Sequence, residues 1–99
     1  MKAFRLSPDG RRDIESLWLY IARDNPKAAT RVTTVIRDAC RHLAEFPSAG
    51  HKREDLTTRT DVLFWPIYSF LIVYRPTTQP LQIVRVLHGN RDVSEILDA

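Results

Sequence analysis

Tyr68-Ser69-Phe70-Leu71-Ile72-Val73-Tyr74-Arg75, the five-residue turn Pro76-Thr77-Thr78-Gln79-Pro80, then Leu81-Gln82-Ile83-Val84-Arg85-Val86-Leu87-His88 running into Gly89-Asn90-Arg91-Asp92 is the stretch that decides the fold. Both runs mix aromatic and β-branched side chains, which pack well on a pleated surface. The turn between them, Pro76 to Pro80, carries a proline at each end, where no ladder N–H is available. The pair therefore reads as a β-hairpin, and its second strand ends in a cluster of Arg and His.

Working outward, Phe4 and Leu6 alternate with Lys2 and Arg5 in a short first strand over Lys2 to Leu6. Ser7 is a good N-cap, Pro8 suits a first helical turn, and Asp9 and Asp13 complement the positive end of the helix dipole. Ile14, Leu17, Trp18 and Ile21 then form one apolar stripe at i, i+3, i+4, i+7. Asn25-Pro26 ends this helix and opens a second, from Pro26 to about Phe46. Its apolar face is Ala28 or Ala29, Val32, Val35, Ile36, Ala39, Cys40, Leu43 and Phe46. Two amphipathic helices joined by so short a link fold back into an antiparallel αα-hairpin that covers one side of the sheet. Pro47-Ser48-Ala49-Gly50 breaks the second helix, and the polar run His51 to Asp61 reads as a surface connection. Val62 to Trp65 is a short strand that Pro66 interrupts or confines to an edge. Asp92 is placed to cap a tail helix over Val93 to Leu97.

At 99 residues the chain has room for a single domain over 1–99 with one modest core. Its 43% hydrophobic content is ordinary for a globular protein, and no apolar run nears the roughly 20 residues a spanning helix needs. Charged residues at the N-terminus are followed by no apolar signal core, so a cytoplasmic location is expected. The lone cysteine, Cys40, excludes an internal disulfide and reads as a small core residue. His42 reads as a surface residue late in the second helix and His51 as a loop residue. The three histidines lack metal-ligand spacing, and neither metal nor cofactor is expected. Twelve of the fifteen basic residues are Arg, with a net charge of +3, a bias toward acidic or phosphate-bearing partners.

Further phrases run in one order along the chain: Leu6-Ser7-Pro8, Trp18-Leu19-Tyr20-Ile21-Ala22, Asn25-Pro26-Lys27-Ala28-Ala29, Phe46-Pro47-Ser48-Ala49-Gly50 and Arg85-Val86-Leu87-His88-Gly89-Asn90-Arg91-Asp92. Together they resemble the ParE-type toxins of the RelE/ParE superfamily. The resemblance implies an α+β fold, β-α-α-β-β-β with a short C-terminal helix, in which a mostly antiparallel sheet is covered by the αα-hairpin. It further implies the toxin half of a type II toxin–antitoxin module, which binds and poisons DNA gyrase. The partner it implies is a small antitoxin of the ParD kind with a ribbon-helix-helix domain, which alone links the complex to operator DNA.

The superfamily's RelE-like branch cleaves mRNA on the ribosome, using cations for the scissile phosphate and a C-terminal Tyr or His for proton transfer. Arg91 stands where those nucleases place an arginine, but Leu97 stands where they carry the catalytic tyrosine. From Arg91 to Ala99 there is no Tyr, His or Lys. His88 is the one nearby group suited to proton exchange near neutrality. A binder rather than an enzyme is therefore expected; the alternatives are a RelE-type ribonuclease, or a member that keeps antitoxin binding without toxicity.

Arg59, Arg75, Arg85 and Arg91 are candidates to converge at one end or face of the sheet. Alternation puts Arg75 on the face of Leu71 and Val73, and Arg85 on that of Leu81, Ile83 and Leu87. For Arg75 and Arg85 the competing reading is a solvated or ion-paired side chain whose stem lies over apolar neighbours. The target-binding candidates are Arg59, Arg85, His88 and Arg91. Trp18, Phe64, Trp65, Tyr68 and Tyr74 are considered as a stacking platform for bases, but core packing is the expected role for most, Trp18 above all. Leu19 and Tyr20 fall off the apolar stripe and are the antitoxin-binding candidates.

Overall fold

A computed structural model describes residues 3–98. In chain order the elements are β1 (Phe4–Leu6), α1 (Pro8–Ala22), α2 (Pro26–Glu45), a 3-10 turn (Pro47–Ala49), β2 (Leu63–Ile67), β3 (Phe70–Arg75), β4 (Leu81–His88) and α3 (Val93–Leu97). This is the expected order. Lys2, with which the first strand was expected to begin, lies outside the described residues. Each helix starts on the side chain foreseen for it. Ser7 Oγ accepts from the Gly10 N–H at 2.9 Å, Asn25 Oδ1 from the Ala28 N–H at 3.0 Å, and Asp92 Oδ1 from the Glu95 N–H at 3.3 Å.

The sheet order is β1-β4-β3-β2. β4 lies in the middle, antiparallel to β3 and parallel to β1, because the αα-hairpin between β1 and the later strands is long enough for a parallel return. β2 is an edge strand and runs on through Pro66, which an edge tolerates. It begins at Leu63 rather than Val62 and ends at Ile67.

α1 and α2 pack on one face, burying Ile14, Leu17, Ile36, Cys40 and Leu43 against Ile72, Tyr74, Leu81, Ile83 and Val86. The opposite face is also buried, beneath α3 and the segment that precedes β2. Val62, Phe64, Leu71, Val73, Leu87, Val93 and Leu97 form this second core, with Leu56 packed on it. The run from His51 to Asp61 is therefore not merely the surface connection its polarity suggested. Leu71-Ile72-Val73-Tyr74 are buried without alternation, so both faces of β3 must be covered.

A bulge corrects the alternation expected along β4. Val73 pairs with Arg85 but Tyr74 with Ile83, leaving Val84 as the extra residue. Leu81, Ile83 and Val86 consequently face the helices, while Leu87 enters the second core with Val84 packed against it. Two further expectations fail at the rim of the hairpin. Phe46, assigned to the apolar face of α2, is 55% exposed, because the helix ends at Glu45 and the chain turns away. Trp18 is 36% exposed and donates its Nε1–H to Thr30 Oγ1 at 3.3 Å, so it lies at the border of the helical seam and not within it.

Candidate functional site

The four arginines do not converge. Arg75 pairs with Gln82 at one end of the β3–β4 ladder and Phe70 with His88 at the other. Five residues of strand, about 17 Å, separate the two ends.

At the first end Asp61 gathers two guanidinium groups. Arg59 holds it bidentately, Nε at 2.9 Å and Nη2 at 2.8 Å, and Arg75 Nε lies 3.5 Å from the same carboxylate. The hydrogen bonds from Arg59 hold the Asp61 carboxyl below the usual carboxylate range, and the same bonds raise the arginine. Arg75 also donates to Gln82 Oε1 at 3.2 Å. Arg85 belongs to neither end. Its Nε and Nη2 donate to Asp13 on α1 at 2.7 and 2.9 Å, and Asp13 also accepts from the Val86 N–H at 2.9 Å. β1 stops at Leu6, so β4 beyond Ile83 has no neighbouring strand on that side. Asp13 serves as acceptor in its place.

The second end holds His88 and Arg91, and the fold adds groups that reading along the chain separated from them. The N–H of Gly89 donates to the Ser69 carbonyl at 2.8 Å, tying the end of β4 to the β2–β3 turn. Tyr68 stands in that turn at φ 53°, a left-handed conformation uncommon for a bulky residue, with 64% of its surface exposed. Tyr68, His88, Gly89 and Asn90 line one groove of about 370 Å³ with Arg53 of the preceding segment. His88 Nδ1 accepts from the Asn90 N–H at 3.1 Å, which assigns the neutral ring's proton to Nε2, and its ring meets Phe70 edge-on at 5.3 Å. Arg91 is exposed, and neither Asp92 nor Glu95 pairs with it. The sequence places Tyr68 at a strand start; only the two-residue spacing between β2 and β3 signals its place at the tip.

Phe64 and Tyr74 are buried on opposite faces of the sheet, which removes both from any stacking platform. Trp65 instead meets the exposed His42 ring at 5.6 Å, and His42 meets Phe46 at 5.1 Å. Leu19 and Tyr20 are 63% and 70% exposed on α1. Cys40 is fully buried, and burial pushes its thiol up to about 12. Among the described residues no three His, Cys, Asp or Glu side chains converge to hold a metal.

The family model for the ParE toxin of the type II toxin–antitoxin system parDE matches residues 4–93. The candidate toxin Y4kP of Sinorhizobium fredii (strain NBRC 101917 / NGR234) is 31% identical over 86 residues, 87% of this chain and 86% of that protein. Among solved structures, the chromosomal ParDE toxin–antitoxin system from P. aeruginosa superposes with a TM-score of 0.70 at 16% identity, covering 89% of this chain and 96% of that one. At that identity the superposition speaks for the fold.

Proposed function

The chain belongs to the ParE toxin family of type II toxin–antitoxin systems, and from that membership we propose that it arrests growth by binding and poisoning DNA gyrase in the cytoplasm and is neutralised by a ParD-like antitoxin. The observation that carries this reading is the family match along residues 4–93, which takes in α1 and α2, the whole sheet and the turn bearing Arg91. The tail supports a binder over a catalyst. Leu97, where a RelE-like nuclease would place its tyrosine, is 7% exposed and belongs to the second core, so α3 acts as a cover for the sheet. No helix among the described residues is long and apolar enough to cross a membrane.

His88, Arg91 and the hairpin tip form the target-facing end in this proposal. Arg59, at the opposite end of the β3–β4 ladder, and Arg85, at neither end, are each held by an aspartate and stand apart from it. One observation favours the ribonuclease reading: Tyr68 and His88 line the same groove, so an acid–base pair is available there without any residue of the tail. A single pair of assays separates the two. Purified protein is expected to inhibit gyrase supercoiling or stabilise gyrase–DNA cleavage while leaving mRNA intact in a translating extract. Codon-positioned mRNA fragments would overturn the gyrase reading, and inactivity in both assays would leave an antitoxin-binding member without toxicity.

A further inference from the structure

We propose that the groove beside the β2–β3 turn takes the carboxylate of a single Glu or Asp side chain presented by a protein loop of the target; the proposal rests on the reading of this end of the sheet as the target-facing one. The groove is a site of donors. Arg53, Tyr68, Ser69, His88 and Asn90 supply its polar side chains, and no Asp or Glu lines it. His88 Nδ1 is occupied by the Asn90 N–H at 3.1 Å, so the neutral ring carries its proton on Nε2, where no side chain or carbonyl accepts it among the described residues. Arg53 gives Nε and Nη2 to Asp55, at 3.0 and 2.8 Å, and keeps Nη1 without a partner among the described residues. A carboxylate accepts on both oxygens, and hydrogen bonds to an ionised acceptor are the strong ones.

The walls select a side chain over a free ion. Leu56, Pro66 and Phe70 line the same groove, so an apolar stem can lie against them while its head meets the donors. Tyr68 stands at φ 53°, where glycine would cost nothing, and its ring is left 64% exposed instead of packed. Backbone positions of this kind gather where a chain makes contact with a partner.

Charge disfavours nucleic acid as the occupant. Two of the segments that frame the groove, 51–61 and 88–98, carry six carboxylates against four Arg and Lys. Asp55 and Asp61 already hold Arg53 and Arg59 bidentately. A phosphodiester backbone brings a charge with every nucleotide and needs a run of unpaired cations to meet them. Here it would run past acids on both flanks, whereas one carboxylate reaches the donors alone.

Two measurements test the proposal. In the first, the isotope-labelled full chain is titrated by NMR with millimolar acetyl-Leu-Glu-Leu-amide, with its Gln counterpart, and with a single-stranded oligonucleotide. The Glu peptide is expected to move the Gly89 and Asn90 amides and the His88 ring signals, and the Gln peptide to leave them in place. Equal shifts with both peptides, no shift with either, or shifts with the oligonucleotide alone would overturn the proposal. In the second, DNA-free gyrase is titrated with the wild-type chain, His88→Gln and His88→Glu. Gln and Glu share a shape, so the comparison isolates charge, and the Glu variant is expected to bind about tenfold or more weakly than the Gln variant. Equal affinities of the two, or wild-type binding that appears only when DNA is added, would also overturn it. The peptide titration needs no variant and stands whether or not both substitutions fold. A wild-type chain that binds gyrase neither with nor without DNA, yet still tells the Glu peptide from the Gln peptide, removes the gyrase reading and upholds the groove's chemistry.

Discussion

Tyr74 shows how much one buried polar atom organises. Its ring is fully buried under the helices, its hydroxyl donates to the Pro47 carbonyl at 2.7 Å and it accepts from the Gly50 N–H at 2.8 Å. Burial raises the phenol above its ordinary value, so it stays neutral over the physiological range. Tyr74→Phe leaves both main-chain groups unpaired and should cost about 1–3 kcal/mol, read from urea unfolding. At Gly50 a Cβ would collide with the Tyr74 hydroxyl and come within 2.9 Å of the Phe64 carbonyl, so Gly50→Ala should destabilise by breaking the same contact from the other side. Arg91 is the opposite kind of residue. Exposed and unpaired with either neighbouring acid, it should be replaceable by Ala with a stability change within about 0.5 kcal/mol. In the proposed function Arg91→Ala and Tyr68→Ala nevertheless abolish growth inhibition while antitoxin binding persists. Full toxicity of both variants at wild-type melting temperature would remove this end of the sheet from the target contact. Cys40, with its thiol pushed up to about 12, should resist alkylation at pH 8 in the native protein and react only on unfolding.

Among the elements, α1 does more than cover the sheet. Its first turns replace the strand that β4 lacks: Ser7 Oγ donates to the Val84 carbonyl at 2.6 Å, Gly10 permits a close approach to the Ile83 carbonyl, and Asp13 takes the Val86 N–H and the Arg85 fork. Asp13→Ala should cost about 2–4 kcal/mol, because it strands a half-buried guanidinium and a strand N–H together. Arg85→Ala leaves Asp13 its backbone donor and should cost less. Loss of toxicity in an Arg85 variant is therefore informative only beside its melting temperature. α3 is fastened differently. Asp98, which follows it, accepts from the Thr57 hydroxyl and from the Thr58 N–H at 3.1 Å, and these bonds lower its carboxyl below the ordinary 3.8. A carboxylate lowered in the folded state contributes its stabilisation in full above its unfolded value, and loses it as pH falls through the folded one. The Thr57–Asp98 clasp should thus hold at pH 5 and above and open in stronger acid. NMR should record the Thr58 amide losing its bonded shift below about pH 4 before the α1–α2 signals change; simultaneous loss would contradict an independent clasp.

At the scale of the whole molecule, a radius of gyration of 13.0 Å encloses two cores, one on each face of a four-stranded sheet. If an antitoxin binds only the folded chain, its presence at 100 times Kd should raise the unfolding free energy by about 2.7 kcal/mol, seen as a concentration-dependent melting temperature. The sequence by itself determined the order of elements, the three capped helix starts at Ser7, Asn25 and Asp92, the β3–β4 hairpin and the family. All of these are written in short-range signals: side-chain periodicity, proline and cap chemistry, and phrases in fixed order. Tertiary structure alone decided which arginines meet carboxylates, since Arg85 and Asp13 are 72 positions apart in the chain. It also decided that the polar His51–Asp61 segment helps close a second core, because Leu56 and Thr57 gain burial only when an apolar sheet face lies beneath them. The bulge at Val84 reassigned every side chain after it, as a single inserted residue reverses the facing of a strand with period two. The groove of donors beside the β2–β3 turn belongs to the same class of fact, for Arg53, Tyr68 and His88 come from three stretches that only the folded chain brings side by side.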